Sequence, residues 1–210
     1  EGIGHGVYLV GDVMVDALHF NQKIAKESSK ILERLGLSKE SYLLMTVHRP
    51  SNTDNKENMQ SITSALERSE KTVVFPMHPR TKKYLKEYGM LDKMPDSMFC
   101  IDPVGYLDML CLLSNAEKVL TDSGGVQKEA YISGIPCITL RENTEWVETV
   151  QDGWNVLVGA DEEKIYSAIQ SFTPISPQRD VFGSGDASER ITRILTEWEY
   201  FICQGNGGDG

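Results

Sequence analysis

A glycine-containing turn at residues 121–125 is the first candidate for chemistry in this sequence. It reads Thr-Asp-Ser-Gly-Gly and joins a short apolar run to a segment with helical spacing. Glycines let the backbone approach a ligand closely, and the free N–H groups and dipole at a helix start favour an anion. Ser123, Gly124 and Gly125 are therefore candidate anion-binding residues. The same residues also suit an ordinary tight turn in which Ser123 caps the helix.

Glu129 adds a second polar group to the same helix. It follows Ser123 by six residues, a little less than two helical turns, so both residues lie on one side of the helix. A carboxylate in that position can accept hydrogen bonds from both hydroxyls of a ribose. The alternative is a solvated glutamate on the helix surface.

Two further polar groups follow apolar runs. His48 and Arg49 end the run at residues 42–47, and histidine there suits phosphate binding or proton transfer because it titrates near neutrality. Residues 140–146 include Arg141 and Trp146 outside any helical stripe, which indicates a ligand-facing loop. The alternatives are a loop histidine held by local hydrogen bonds and a solvated loop anchored by one aromatic side chain.

The elements that must position these groups alternate between short apolar runs and longer amphipathic ones. Strands are predicted at residues 7–10, 42–47, 72–75, 98–101, 118–120, 136–140 and 155–158. Helices are predicted at residues 13–35, 55–66, 81–88, 106–113, 126–133, 165–172 and 187–201. This alternation predicts an α/β fold, a Rossmann-like doubly wound parallel sheet covered by helices on both faces. Such sheets bind ligands at the carboxyl ends of their strands, where every candidate group falls.

Composition narrows the class of partner. The 210 residues are 40% hydrophobic and 25% charged, which is typical of a globular protein. The net charge of −10 disfavours nucleic acid and anionic membrane surfaces as partners. The four cysteines form no Cys-x-x-Cys pair, so they are interpreted as small buried side chains in a reducing compartment rather than metal ligands. With no long apolar run or signal peptide, a cytoplasmic location is expected.

Taken together, six segments resemble the non-hydrolysing UDP-N-acetylglucosamine 2-epimerase family. They are Val-Gly-Asp-Val-Met-Val-Asp-Ala at residues 10–17, Val-His-Arg at 47–49, His-Pro-Arg-Thr at 78–81, Thr-Asp-Ser-Gly-Gly-Val-Gln-Lys-Glu-Ala at 121–130, Leu-Arg-Glu-Asn-Thr-Glu at 140–145, and Phe-Gly-Ser-Gly-Asp-Ala-Ser-Glu-Arg-Ile at 182–191. They occur in family order and with family spacing. Each segment alone is a weak match, but six in register are specific.

The resemblance implies an organisation as well as a fold. Family members are about twice this long and have two Rossmann-like domains of the GT-B type, so this chain resembles the carboxyl-terminal half. Its start at Glu1 without a methionine also indicates a piece of a longer protein. A UDP-binding domain is expected at residues 1–177, a closing helix that packs on the other domain at 178–202, and a flexible tail at 203–210. The full-length form is expected to be a homodimer.

The resemblance further implies the reaction, in which UDP-GlcNAc and UDP-ManNAc are interconverted without a cofactor or metal. The C2 proton is removed, UDP leaves C1, and UDP adds back after reprotonation on the opposite face. The resemblance assigns the acid and base carboxylates mainly to the other half, so this chain alone is expected to be inactive. Here it assigns the phosphates to Ser123, Gly124 and Gly125, the ribose to Glu129, and the leaving diphosphate to His48 as catalytic residue. The segment 103–109, with Val104 and Met109, corresponds to the uracil loop.

Four positions depart from the family pattern. Val104 and Met109 differ from the usual bacterial residues, and Lys128 replaces an acid. A ligand-binding arginine of the bacterial pattern is replaced by Trp146, so the phosphate charge must be met elsewhere, either by Arg141 or by the other half of the enzyme. Two alternatives stay open, a GT-B glycosyltransferase domain that binds a UDP-sugar and a non-catalytic nucleotide-sugar-binding module.

Overall fold

The chain builds a parallel sheet. The computed structural model describes residues 6–205, with side chains through residue 197. The strands are β1 Leu43–Thr46, β2 Val73–Pro76, β3 Met98–Ile101, β4 Lys118–Thr121, β5 Cys137–Thr139 and β6 Asn155–Leu157. Every neighbouring pair is parallel, and the order across the sheet is β3-β2-β1-β4-β5-β6. This is the Rossmann order, so the predicted fold class is confirmed.

Helices connect the strands. They are α1 Val13–Ser28, α2 Ile31–Leu35, α3 Pro50–Thr53, α4 Lys56–Ser69, α5 Pro79–Glu87, α6 Tyr106–Ser114, α7 Gly124–Ile132, α8 Val147–Gln151, α9 Glu162–Ser171 and α10 Ala187–Gly205, with a 3-10 turn at Leu91–Lys93. The single helix predicted at residues 13–35 is wrong, because the helix breaks between α1 and α2. There the Ser29 hydroxyl donates to Asp108 and accepts from the Ile31 N–H, which competes with helical hydrogen bonds.

Both faces of the sheet are buried, which explains why the strands are apolar along their whole length. Leu43 and Met45 of β1 pack into a core with side chains of α4, α5 and α9. Leu44 points the other way, into a core built with α2, α6 and α7. Successive side chains of a strand alternate between faces, so one strand supplies both cores. Each fully buried leucine stabilises the fold by about 1.5–3 kcal/mol.

The strand predicted at residues 7–10 is wrong. These residues form no strand, and Val7, Tyr8 and Leu9 are largely exposed. An apolar run becomes a strand only when a neighbour completes its backbone hydrogen bonds, and the sheet of the described residues offers this segment no such neighbour.

The prediction that the cysteines are buried holds for only part of the set. Cys137 is buried in β5, but Cys100 is exposed in β3 and Cys111 is intermediate. Strand β3 is at the edge of the sheet, so its face is covered less completely than those of the central strands. The Cys203 side chain lies outside the described part.

The chain divides into two compact units, and the predicted division at residues 177 and 178 stays a prediction. One unit is Ile24–Arg179, which contains the whole sheet, and the other combines the residues up to Lys23 with those from Asp180 onward. The described residues up to Lys23 therefore cluster with the carboxyl-terminal segment.

Contacts between two distant family-like segments explain the smaller unit. The Asp16 carboxylate accepts hydrogen bonds from the backbone N–H groups of Ala187 and Ser188 and from the Ser188 hydroxyl, at the start of α10. The Ser188 hydroxyl holds the pKa of Asp16 below its usual value. Nearby, Gly183 has a φ of +93° and faces Gly11, and a Cβ added to it would lie 3.0 Å from the Gly11 Cα. Glycine is therefore required there by both conformation and space.

The last helix extends to Gly205, past the start of the predicted tail, and residues 206–210 lie outside the described part. Among the residues that the structure describes, no helix is long and apolar enough to cross a bilayer.

Candidate functional site

The centre of the sheet brings two of the predicted segments together. Strands β1 and β4 are neighbours, with Thr46 opposite Thr121, and their hydroxyl oxygens are 2.6 Å apart. The chain order reverses between these two strands, so their carboxyl ends border the crevice where doubly wound sheets bind ligands. The segment after β1 carries His48 and Arg49, and the segment after β4 carries the Ser-Gly-Gly turn.

A buried aspartate joins the two segments. The Asp122 carboxylate is fully buried and accepts hydrogen bonds from the N–H of His48 at 3.0 and 3.1 Å and from the N–H of Arg49 at 2.9 Å. It also accepts from the Asn52 side-chain amide at 3.1 Å. The sequence reasoning gave Asp122 no role of its own. The sequence feature that could have indicated this role is an acidic residue directly after β4. The neighbouring strand β1 is followed by backbone N–H groups that such an acid can bind.

His48 and His78 lie close together, although they come from different strands. The two ring centroids are 5.5 Å apart, and Nε2 of His48 is 4.0 Å from the Asp122 carboxylate. The buried Thr81 hydroxyl donates to the backbone oxygen of Val47, which ties the start of α5 to the histidine segment. The His48 side chain is 38% exposed and can therefore reach a ligand.

The Ser-Gly-Gly turn begins α7 as an open helix end. Ser123 occupies the N-cap position with extended backbone but makes no side-chain capping hydrogen bond, and its own N–H donates to the Thr121 hydroxyl. The helix starts at Gly124, two residues before the predicted start. The first N–H groups of a helix have no partner within it, so this end offers donors to an anion.

Glu129 is buried rather than solvated, which excludes the alternative of a surface glutamate. It is 8% exposed, and Oε1 accepts a hydrogen bond of 3.1 Å from the Tyr106 hydroxyl. Burial raises the pKa of Glu129, and the Tyr106 hydroxyl partly offsets that rise. Partial desolvation of its hydroxyl, together with the adjacent Glu129 carboxylate, raises the pKa of Tyr106 to about 12, so the phenol keeps its proton. The sequence reasoning missed Tyr106, although it lies within the segment compared with a uracil loop.

That segment therefore lies beside the predicted ribose carboxylate. Val104 precedes α6 and Met109 is on it, and both are partly buried against the core that α2, α6 and α7 share. Their side chains anchor the segment 103–109 to this core. The exposed backbone at Gly105 remains available to a ligand.

The loop after β5 packs on the start of α7. The Trp146 indole N–H donates to the backbone oxygen of Gly124 at 2.7 Å, and the Thr144 hydroxyl donates to the Gln127 side chain at 2.6 Å. The buried Lys128 ammonium lies 3.7 Å from the centre of the Trp146 ring. Lys128 and Trp146, two of the four departures noted in the sequence, therefore contact each other as a cation–π pair.

Arginines approach the same helix end from two strands. Arg141 makes a two-pronged ion pair with Glu145, at 2.9 and 3.0 Å, and Arg49 reaches the same carboxylate at 3.8 Å. The Arg141 pair lowers the pKa of Glu145. Both cations are therefore paired with Glu145, whose carboxylate lies beside Gly124 at the start of α7.

The chain is similar in sequence to sugar-nucleotide epimerases. A sequence model of the UDP-N-acetylglucosamine 2-epimerase family matches residues 1–196. A UDP-N-acetylglucosamine 2-epimerase homolog of Methanococcus maripaludis is 52% identical over 199 residues, which are 93% of this chain and 56% of the homolog. The UDP-2,3-diacetamido-2,3-dideoxy-D-glucuronate 2-epimerase of Pseudomonas aeruginosa is 42% identical over 195 residues, 90% of this chain and 52% of that protein.

A solved structure agrees with the sequence comparison. The crystal structure of Methanocaldococcus jannaschii UDP-GlcNAc 2-epimerase in complex with UDP-GlcNAc and UDP has a TM-score of 0.83 and 43% identity to this chain. The match covers 93% of this chain and 56% of that structure, so the chain spans about half the length of the relatives it matches. Since the family model matches almost all of the sequence and the fold agrees, this chain belongs to the UDP-N-acetylglucosamine 2-epimerase family.

Proposed function

We propose that this chain is the UDP-binding half of a two-domain, GT-B-type enzyme that interconverts UDP-GlcNAc and UDP-ManNAc. The observation that carries the proposal is the pairing of an open helix start at Ser123 and Gly124 with the buried carboxylate of Glu129 on the same helix. The helix start offers donors to a diphosphate, and we assign the carboxylate, six residues along the same helix, to the ribose hydroxyls. The solved M. jannaschii relative, which contains UDP-GlcNAc and UDP, supports this substrate class.

The proposed roles follow the order of groups along a UDP-sugar. The segment 103–109, with Val104 and Met109 beneath it, receives the base, and Glu129 accepts the ribose hydroxyls. The diphosphate lies at Ser123, Gly124 and Gly125, with Arg141 as a nearby cation. The larger part of the site is thus built for the nucleotide rather than for the sugar.

His48 is the residue of this chain that we assign to the reaction. Its imidazole donates a hydrogen bond to the diphosphate as UDP leaves C1, which stabilises the charge that develops on the leaving group. Asp122 fixes the backbone on which His48 is carried. The carboxylates that remove and return the C2 proton are assigned to the other half of the enzyme.

Calorimetry with UDP tests the binding role. The 210-residue chain should bind UDP, and Glu129→Gln should weaken binding by about 1–3 kcal/mol because a neutral amide replaces a charged acceptor. Glu57→Gln, at an exposed site in the first turn of α4, is the matched control and should bind like the parent chain. Equal affinities for all three proteins would remove Glu129 from the site.

A turnover assay tests whether the acid and base groups of the reaction lie outside this chain. The 210-residue chain is incubated with UDP-GlcNAc, without an acceptor, and the products are followed by NMR. UDP binding without epimerisation is expected, whereas UDP-ManNAc formed by this chain alone would place the acid and base within it.

A second candidate substrate comes from the P. aeruginosa relative, whose name specifies a different UDP-sugar inverted at the same carbon. Both candidates require the same UDP site. In the longer enzyme, parallel incubations with UDP-GlcNAc and with UDP-2,3-diacetamido-2,3-dideoxy-D-glucuronate separate them, because only the true substrate gives its C2 epimer at an efficient rate.

A further inference from the structure

The Glu145 carboxylate lies where a ligand anion would be expected. One of its oxygens would be 3.1 Å from a Cβ added to Gly124, the first residue of α7. Gly124 has no side chain, and this absence makes room for an oxygen beside the helix start. A carboxylate at a helix N-terminus is stabilised by the same donors and dipole that bind a phosphate.

Two arginines near the start of α7 are already paired with this carboxylate. Arg141 contacts both of its oxygens, at 2.9 and 3.0 Å, and Arg49 contacts one of them at 3.8 Å. Arginine binds carboxylates and phosphates with the same planar set of donors, so the two anions compete for it. The lowered pKa of Glu145 keeps it charged and therefore an effective competitor.

The exposure of the partners indicates which of them can move. The Arg141 side chain is 14% exposed and also donates to Asn143, so it is held in place. The Glu145 side chain is 48% exposed and can turn into solvent without leaving a charge buried. An incoming anion can therefore displace Glu145 and keep Arg141 where it is.

The geometry points to Glu145 as an internal anion that occupies the diphosphate position and is displaced when a nucleoside diphosphate binds. This inference rests on the proposed function, since it assumes that the diphosphate lies at the start of α7. Glu145 then weakens the hold on UDP. In a reaction whose leaving group must depart and add back, that prevents the diphosphate from being bound too tightly. In the opposite role, Glu145 orients the arginines for the ligand. Removal of the Glu145 charge strengthens UDP binding in the first role and weakens it in the second.

Calorimetry on the 210-residue chain and its Glu145→Gln variant distinguishes the two roles by comparing the affinities for UDP, pyrophosphate and uridine. Removing the competing charge should tighten binding of UDP and pyrophosphate about three- to tenfold, the equivalent of one or two exposed ion pairs. Binding of uridine, which has no phosphate, should not change. Thermal unfolding of the variant confirms that it is folded.

Glu142→Gln is the matched control. It changes the net charge equally and lies three residues earlier in the same loop, but its carboxylate is beside Gly159 rather than Gly124. A gain in both variants would reflect overall charge and would overturn the proposal, as would unchanged or weaker binding of UDP by Glu145→Gln. If neither UDP nor pyrophosphate binds any of the proteins, the proposed function fails together with this inference. If the parent chain binds UDP and Glu145→Gln shows no gain, only this inference fails.

Discussion

Asp122→Asn tests whether the buried aspartate holds the segment after β1 and the segment after β4 together. The carboxylate accepts from the N–H groups of His48 and Arg49 and from the amide of Asn52, and it is fully buried. An asparagine of the same shape keeps one acceptor oxygen but turns an NH₂ group towards donors. The variant therefore loses the charge that strengthens every one of these bonds and leaves at least one donor unsatisfied.

The magnitude follows from those contacts. One lost charge-assisted hydrogen bond costs about 1.5–3 kcal/mol, and a buried donor without a partner costs about 1–3 kcal/mol. We therefore expect the free energy of unfolding to fall by about 2–5 kcal/mol, a large share of the roughly 5–15 kcal/mol of a typical domain. Urea unfolding followed by circular dichroism measures it, with a lower midpoint and an unchanged slope.

Asp102→Asn is the control, because Asp102 pairs with Lys82 at the surface and its side chain is 83% exposed. Exposed pairs contribute little, so this variant should unfold like the parent chain. A loss of less than about 0.5 kcal/mol in Asp122→Asn, the range of ordinary surface substitutions, would refute the reasoning. The segments after β1 and β4 would then be held by other contacts.

Three further predictions concern other parts of the chain. Because burial raises the pKa of Glu129, the folded chain binds that proton more tightly than the unfolded chain, and the ionised form costs stability at neutral pH. Glu129→Gln should therefore raise the urea midpoint at pH 7. This gain should vanish as the pH falls below the ordinary pKa range of a carboxyl group, because the glutamate is then protonated in both states. A gain independent of pH would contradict this. Gly183→Ala should destabilise the protein in thermal unfolding more than Gly89→Ala, because both glycines have positive φ but only Gly183 lies against another backbone. Equal losses would show that conformation alone matters. Trp146→Phe removes the indole hydrogen bond to the start of α7 and should lower stability by about 1 kcal/mol in urea unfolding, whereas no loss would show that the ring alone anchors the loop.

The parts of the fold that depend on local pattern were predictable from the sequence. Continuous apolar runs marked β1 to β6 because a parallel sheet buries both faces of each strand. The glycine turn and the position of Glu129 on its helix followed from helical spacing. The run at residues 7–10 has the same local pattern but no neighbouring strand, and a local pattern contains no information about neighbours.

Contacts between distant segments were not predictable in the same way. The role of Asp122 depends on β1 and β4 being adjacent in the sheet, and the role of Tyr106 depends on α6 lying beside α7. The Lys128–Trp146 pair was visible in the sequence only as two separate departures from the family pattern. In each case the missing information was the order of elements in space.

The link between Asp122 and His48 also has a consequence for synthesis of the chain. The two residues are 74 positions apart, and chains grow at about 5–20 residues per second, so roughly 4–15 s pass between their appearance at the ribosome. During that interval β1 and the N–H groups of His48 and Arg49 have neither the neighbouring strand β4 nor the carboxylate that later binds them. Leu43–Thr46 is then an apolar strand with one open edge, the kind of segment that chaperones protect. The centre of the proposed nucleotide site is thus the part of the sheet whose neighbouring strand is synthesised after the longest delay.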